Sequence, residues 1–174
     1  LELYYSGEWR HKLKNGSIID VDVTSHTLTY HGRKAGLVIV QDITDRKRAQ
    51  DVLSESERRF RQLFDDAPVG YHELDIQGRI VEVNRTELEM LGYSADEMLR
   101  HRVWEFIVEG DVSRDAVVAK IAGTVRSEDM YERTFRRKDG TTMNVFIKDR
   151  ILKNEAGNVV GIRSTVQDIS ERKR

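Results

Sequence analysis

The 174-residue chain carries 29 Lys and Arg against 30 Asp and Glu, a formal net charge of −1, with 39% hydrophobic and 34% charged residues and no cysteine. Balanced charge argues against a dedicated nucleic-acid binder, and the lack of cysteine excludes a disulfide framework, Cys-ligated zinc, iron–sulfur clusters and a thiol nucleophile. No apolar run approaches the roughly 18 residues of a membrane span and no signal-like stretch opens the chain, so the expectation is a cytoplasmic protein without membrane contact.

The first residue is Leu1 rather than Met, and the chain is expected to be a piece of a longer one. Asn15-Gly16 lies between extended runs and predicts a hairpin whose two turn residues both take φ > 0. Alternating Ile19, Val21 and Val23 predict a long strand, followed by a polar loop from Tyr30 to Lys34 and a last strand ending at Asp42-Ile43-Thr44. Thr44 is placed to cap a helix with Asp45 in its first turn, where the helix dipole favours negative charge. That helix is predicted to run through about Phe64, free of Pro and Gly. Ala49, Leu53, Ser56, Phe60 and Leu63 follow 4-3-4-3 spacing, a coiled-coil seam with a polar break at Ser56. The seam predicts parallel pairing into a homodimer through Ala49, Leu53, Phe60 and Leu63; the alternative is one amphipathic helix packed on its own domain.

Val69 to Leu74 and Arg79 to Val83 read as strands around a turn at Gln77-Gly78. Asn84 to Glu87 and Ser94 to Glu97 read as two capping boxes, in which the third residue after the cap reaches back to it. Leu88 and Leu91 give the first of these helices an apolar side, and Gly92 stops it. Asp111 is expected to cap a further helix carrying Val112, Val117, Val118 and Ile121. A second hairpin at Asp139-Gly140, a strand through Met143, Val145 and Ile147, a loop from Asn154 to Asn158 and a last strand ending at Asp168-Ile169-Ser170 complete the order. Two strands, several short helices and three strands make an α+β domain with helices gathered on one face of an antiparallel sheet.

The two ends of this order repeat. Residues 41–48 and 167–174 are identical except for Thr44/Ser170 and Asp45/Glu171, an offset of 126, while Lys14 and Lys138 lie 124 apart. Residues 1–43 are therefore expected to be the three-stranded rear of a first copy, 44–64 a connector helix, 65–170 a complete second copy, and 171–174 the start of a helix leaving it.

Six stretches in this order resemble the PAS sensor-domain family. They are Phe64 to Tyr71, Gly78-Arg79-Ile80 with Val83-Asn84, Leu91 to Glu97, Val103 to Phe106 with Glu109-Gly110-Asp111, Arg137 to Gly140, and Asp168 to Arg174. The resemblance implies a five-stranded antiparallel sheet in the order 2-1-5-4-3 with helices over one face and a hollow between them. It also implies a sensory role in a bacterial-type signalling protein, relayed through a helix to an output such as a histidine kinase or a cyclic-di-GMP enzyme. Asp42-Ile43-Thr44 and Asp168-Ile169-Ser170 match the exit point of that relay. By alternation and this analogy, the candidate pocket comprises Tyr71, Glu73, Val83, Leu88, Leu91, Trp104, Phe106, Tyr131, Val145, Ile147 and Thr165, with Arg163 at the rim. Alternation puts no Lys or Arg inside it.

Chemistry of other kinds has little support. Without cysteine no covalent flavin adduct forms, and residues 111–122 lack the histidine that haem-binding relatives use. His72 and His101 read as ordinary strand or surface histidines. Non-covalent flavin, for which Trp104 is a candidate wall, or a small metabolite remains open. No phosphate loop, nucleophile grouping or His-Pro phosphoacceptor pattern is present, so the fragment is read as non-catalytic. The competing reading is a ligand-free interaction and transmission module with a packed core.

Overall fold

The structure, a computed structural model, describes residues 2–125 and 130–170, with side chains from residue 7 onward. The chain divides into two compact units, Leu1–Phe60 and Arg61–Arg174. The expected helix start at 171–174 lies outside the described residues.

The first unit is a three-stranded antiparallel sheet, β1 (Glu2–Lys12), β2 (Ile18–Tyr30) and β3 (Arg33–Asp42), followed by helix α1 (Thr44–Asp65), which runs past the unit boundary. Among its described side chains, Ile43 and Val21 are the buried large apolar ones. Lys47 of α1 bonds Glu8 at 2.7 Å and lies 3.5 Å from Asp20.

The second unit contains β4 (Gly70–Leu74), β5 (Ile80–Val83), α2 (Arg85–Leu91), α3 (Ala95–Met98), a 3-10 turn (Val103–Phe106), α4 (Gly110–Ile121), β6 (Tyr131–Arg136), β7 (Thr142–Lys153) and β8 (Val159–Asp168). Its sheet order is β5-β4-β8-β7-β6, all pairs antiparallel. In the unit's own strand count this is 2-1-5-4-3. One face carries Leu74, Phe135, Met143, Val145, Ile147, Ile162 and Val166, and these meet Leu91, Met98, Val103, Phe106 and Val117 from the helices and Ile107 from the extended residue after the 3-10 turn. Burying that apolar face is what holds helices to sheet.

The three rear strands of the two units share one register. Val21 pairs with Asp42 and Val23 with Val40; 124 and 126 residues on, Val145 pairs with Asp168 and Ile147 with Val166. The hairpin turns agree atom for atom: Gly16 N donates to Leu13 O and Ser17 N to Asn15 Oδ1, as Gly140 N does to Arg137 O and Thr141 N to Asp139 Oδ1. These turns correct one expectation. Only the glycines take positive φ, at 86° and 84°, while Asn15 and Asp139 do not. A longer loop gives the Asn or Asp the task of accepting from backbone N–H two residues on, so it needs no left-handed conformation.

Other local readings also change. Glu109, not Asp111, is the cap residue of α4, and Val112 and Val118 face solvent while Ser113, Val117 and Lys120 face inward. Ser94 does form its capping box with Glu97, which accepts from Ser94 N at 2.9 Å. At Asn84 only half of the box forms, because Glu87 turns elsewhere.

Candidate functional site

The inner face of the second unit carries a row of polar side chains. His72 on β4, Ser164 on β8 and Asp149 on β7 are lateral neighbours in register. Helices close both ends of the row. Glu87 of α2 accepts from His72 Nδ1 at 2.8 and 3.0 Å, and Lys120 of α4 donates to Asp149 Oδ2 at 2.5 Å. Asp149 also accepts from Ser164 Oγ and from the Tyr131 hydroxyl, both at 2.7 Å. His72, Glu87, Lys120, Asp149 and Ser164 are all at most 6% exposed. Gly70 lets this happen at one end: a Cβ there would come within 3.1 Å of the Glu87 side chain, where α2 passes over β4.

The electrostatics follow from burial and pairing. Desolvation pulls the His72 pKa down, but the charge and hydrogen bonds of Glu87, with the charge of Asp149, outweigh it and hold His72 above its ordinary value. Burial, then the charge of Asp149, pushes the Tyr131 hydroxyl strongly upward, so it stays a donor. The Lys120 ammonium also lies 4.0 Å from the centre of the Tyr131 ring.

Beside this row is a cavity of about 20 Å³ bordered by His72, Ser113, Tyr131, Arg133, Asp149 and Ser164, with Leu74, Val103, Ile107, Val117 and Ile147 as apolar wall. That is room for about one water molecule. Pockets for drug-sized ligands run to several hundred Å³.

The predicted pocket residues separate into two sets. Val145 and Ile147 lie on the inner face, Leu91 and Phe106 are in the core, Val83, Leu88 and Tyr131 pack against it. Tyr71, Glu73 and Thr165 point to the opposite face, which corrects the expectation. A strand alternates with period two, and on β4 the inward residues are His72 and Leu74, so the phase was off by one. Tyr71 and Thr165 instead border a depression of about 260 Å³ with Lys148, Arg150 and Arg163. Arg163 is held there by Glu73 at 2.5 Å. Trp104 is a second correction. It packs against the core, as Val83 and Leu88 do, but lies outside the cavity, and its ring covers Gly78 at the β4–β5 turn, where φ is +74° and any Cβ would collide with it. Two further corrections are the interior cation Lys120 and the burial of His72; His101 is exposed and bonds Glu105 at 3.1 Å.

The row left a trace in the sequence. Asp149 continues the inward phase of Met143, Val145 and Ile147, Ser164 sits between inward Ile162 and Val166, and Lys120 falls in line with Ser113 and Val117. Among the described residues no cluster of three or more His, Cys, Asp or Glu is arranged to hold a metal ion.

The residues predicted to transmit a signal form matching junctions. Asp42 Oδ1 accepts from Thr44 N at 2.9 Å and Ile43 N donates to Asp20 O; Asp168 Oδ1 accepts from Ser170 N at 2.7 Å and Ile169 N donates to Asn144 O. Of the residues predicted to form a dimerisation seam, Leu53, Phe60 and Leu63 are 59, 61 and 66% exposed and Ala49 is exposed.

A family model described as PAS domain matches residues 68–171. The chain belongs to the PAS domain family. PAS domains are sensory modules rather than catalytic ones. Sporulation kinase E of Bacillus subtilis is 28% identical over 109 residues, covering 63% of this chain and 14% of the kinase. The probable diguanylate cyclase DgcE of Escherichia coli is 23% identical over 124 residues, covering 70% of this chain and 11% of the cyclase. The chain thus spans a small part of the curated relatives it matches. Among solved structures, the PAS domain of an HTR-like protein from Haloarcula marismortui superposes with a TM-score of 0.61 at 28% identity, covering 71% of this chain and 99% of that one. A LOV protein from Rhodobacter sphaeroides, at 16% identity and a TM-score of 0.52, covers 67% of this chain and 68% of that one and shares the fold alone. Among the described residues no helix is long and apolar enough to cross a membrane.

Proposed function

We propose that the chain is a relay segment of a cytoplasmic signalling protein. The PAS domain at 65–170 passes a change in its core through Asp168-Ile169-Ser170 to the chain beyond it, and so to an output kinase or cyclic-di-GMP enzyme. The observation that carries this reading is the repeated junction. In its first occurrence, Asp42-Ile43-Thr44, the strand runs into α1 without an intervening loop, so a displacement of the last strand reaches the helix directly. The kinase and cyclase among the relatives support an output of that kind. The shared register supports reading residues 1–43 as the rear of a first PAS domain, with 44–64 as connector.

Between the two readings of the interior, we favour transmission with a packed core over metabolite binding. Val83, Leu88, Leu91, Phe106, Tyr131, Val145 and Ile147 serve that core, and the cavity beside them is water-sized. The denatured protein analysed by mass spectrometry, with a visible spectrum of the native form, tests this: a retained flavin, haem or metabolite overturns it. We further propose that α1 pairs with its copy through Ala49, Leu53, Phe60 and Leu63, whose exposed apolar side chains support a partner. The double substitution Leu53→Glu, Phe60→Glu should convert a dimer to a monomer by light scattering, and an unchanged mass refutes the seam.

A further inference from the structure

The polar row belongs to the second domain and not to its scaffold. At the same register in the first unit, Asp149 is replaced by Ser25 and Ser164 by Val38, and those two residues pair as their counterparts do. A sheet of this register therefore forms without a carboxylate at the position of Asp149. Buried ion pairs contribute little net stability over apolar packing, because the charges must first be taken out of water. The row has a different property, which is its charge balance. Within the row, Glu87 and Asp149 bring two negative charges, Lys120 brings one positive charge and protonated His72 a second, while Arg133 stands at the cavity border bonded to Ser113 and the Glu132 carbonyl.

We infer that His72 is a regulatory proton site: its imidazolium closes a charge-balanced row that holds α2 on the sheet, and loss of the proton loosens α2 from β4. The groups facing His72 are few. Glu87 comes from α2, Asp149 from β7 with Lys120 of α4 on its far side, and Tyr131 and Arg133 of β6 border the same cavity. Its lateral neighbours on β8 and β5 are uncharged, Ser164 and Val83. The cation that Glu87 contacts is His72, while Lys120 is engaged with Asp149, so a neutral imidazole keeps a hydrogen bond but leaves a fully buried carboxylate without a counter-charge beside it. The change reaches the exit strand through Ser164, which is beside His72, bonded to Asp149 and four residues before Asp168. The inference names what the proposed relay senses, and rests on that relay only for its consequence.

The sign follows from linkage. The folded pKa of His72 is raised, so closure is fully favoured below the unfolded value of about 6.5 and is lost as pH rises through the folded value. Within that window, opening of α2 releases one proton and its equilibrium constant rises about tenfold per pH unit, levelling off above it.

The test is a histidine-selective NMR titration of the whole chain, with the His72 signal assigned by its loss in His72→Gln, and hydrogen exchange of the 85–91 amides from pH 6 to 9, corrected for intrinsic exchange. The expected result is an imidazolium at His72 persisting above its ordinary value of about 6.5, with α2 protection falling about tenfold per unit in the window and pH-independent in His72→Gln. A midpoint at or below about 6.5, or an α2 profile that is flat or shared by His72→Gln, overturns the inference. Should His72→Gln not fold, Glu87→Gln should weaken proton binding at His72 tenfold or more, and an unchanged midpoint overturns it equally. These signals arise within the PAS domain, so they can succeed where a kinase or cyclase relay fails, and the reverse.

Discussion

Asn84 is the side chain whose removal should cost this domain most for its size. It is fully buried and uses all of its hydrogen-bonding groups. Nδ2 donates to the carbonyls of Phe64 and Val69, each at 3.0 Å, while Oδ1 accepts from Tyr71 N at 2.9 Å and Glu87 N at 3.0 Å. One amide therefore ties the end of α1, the approach to β4 and the first turn of α2. In Asn84→Ala these backbone groups lose their partner where water has little access. At about 1 kcal/mol per bond the loss is about 4 kcal/mol, against a total stability on the order of 5–15 kcal/mol for a small domain. With roughly 4–5 °C per kcal/mol at this size, the midpoint should fall by about 15–20 °C. Urea and thermal unfolding followed by circular dichroism measure both quantities. Asn84→Asp keeps the two acceptor bonds but turns a second oxygen toward two carbonyls, so it should recover little of the loss near neutral pH. A loss below about 1 kcal/mol for Asn84→Ala would refute the reasoning, since it would mean that backbone groups at this junction find other partners.

Further outcomes follow from the same geometry. Lys120→Met strands Asp149 as a buried charge and should destabilise by about 3–5 kcal/mol in urea unfolding, and adding Asp149→Leu should recover part of that loss. Gly78→Ala places a methyl in the Trp104 ring at φ +74°, whereas Gly140→Ala at φ +84° meets nothing within 4 Å. The first should lose about 2 kcal/mol or more and the second about 1 kcal/mol of backbone strain alone, so equal losses would argue against the Trp104 contact. Glu97 is held by Lys138 and then Ser94, which lower its pKa from 4.5 to about 2. Its contribution is complete above pH 4.5 and is lost as pH falls through about 2; Glu97→Gln should remove that part of the acid limb of the stability profile.

How much of this was legible in the sequence depends on the range of the interaction involved. The hairpin at Asp139-Gly140, the capping box at Ser94 and the stop at Gly92, which takes φ 76°, each depend on residues a few positions apart and were placed correctly. The half-formed box at Asn84 marks the limit. Spacing sends Glu87 back to its own helix start, but a histidine 15 residues away takes the carboxylate instead. The face of β4 failed for a related reason. Tyr71 is the more apolar neighbour, and only partners on α2 and β7 make an inward His72 tolerable.

The sequence alone therefore determined the order of strands and helices, the repeat that relates residues 1–43 to the rear of the PAS domain, and the place of the Asp-Ile-Thr and Asp-Ile-Ser junctions, although there the Asp carboxylates and not the predicted hydroxyl caps accept from the junction's own backbone N–H. These are set by backbone φ preferences, period-two alternation and hydrogen bonds between near neighbours. Tertiary structure decided which side chains the interior contains. A charge enters a core only if a counter-charge arrives there too, and Glu87 for His72 and Asp149 for Lys120 come from other elements, 15 and 29 residues distant. A hollow read from the sequence as a pocket of mixed apolar and aromatic walls is a charge-paired core with space for one water molecule.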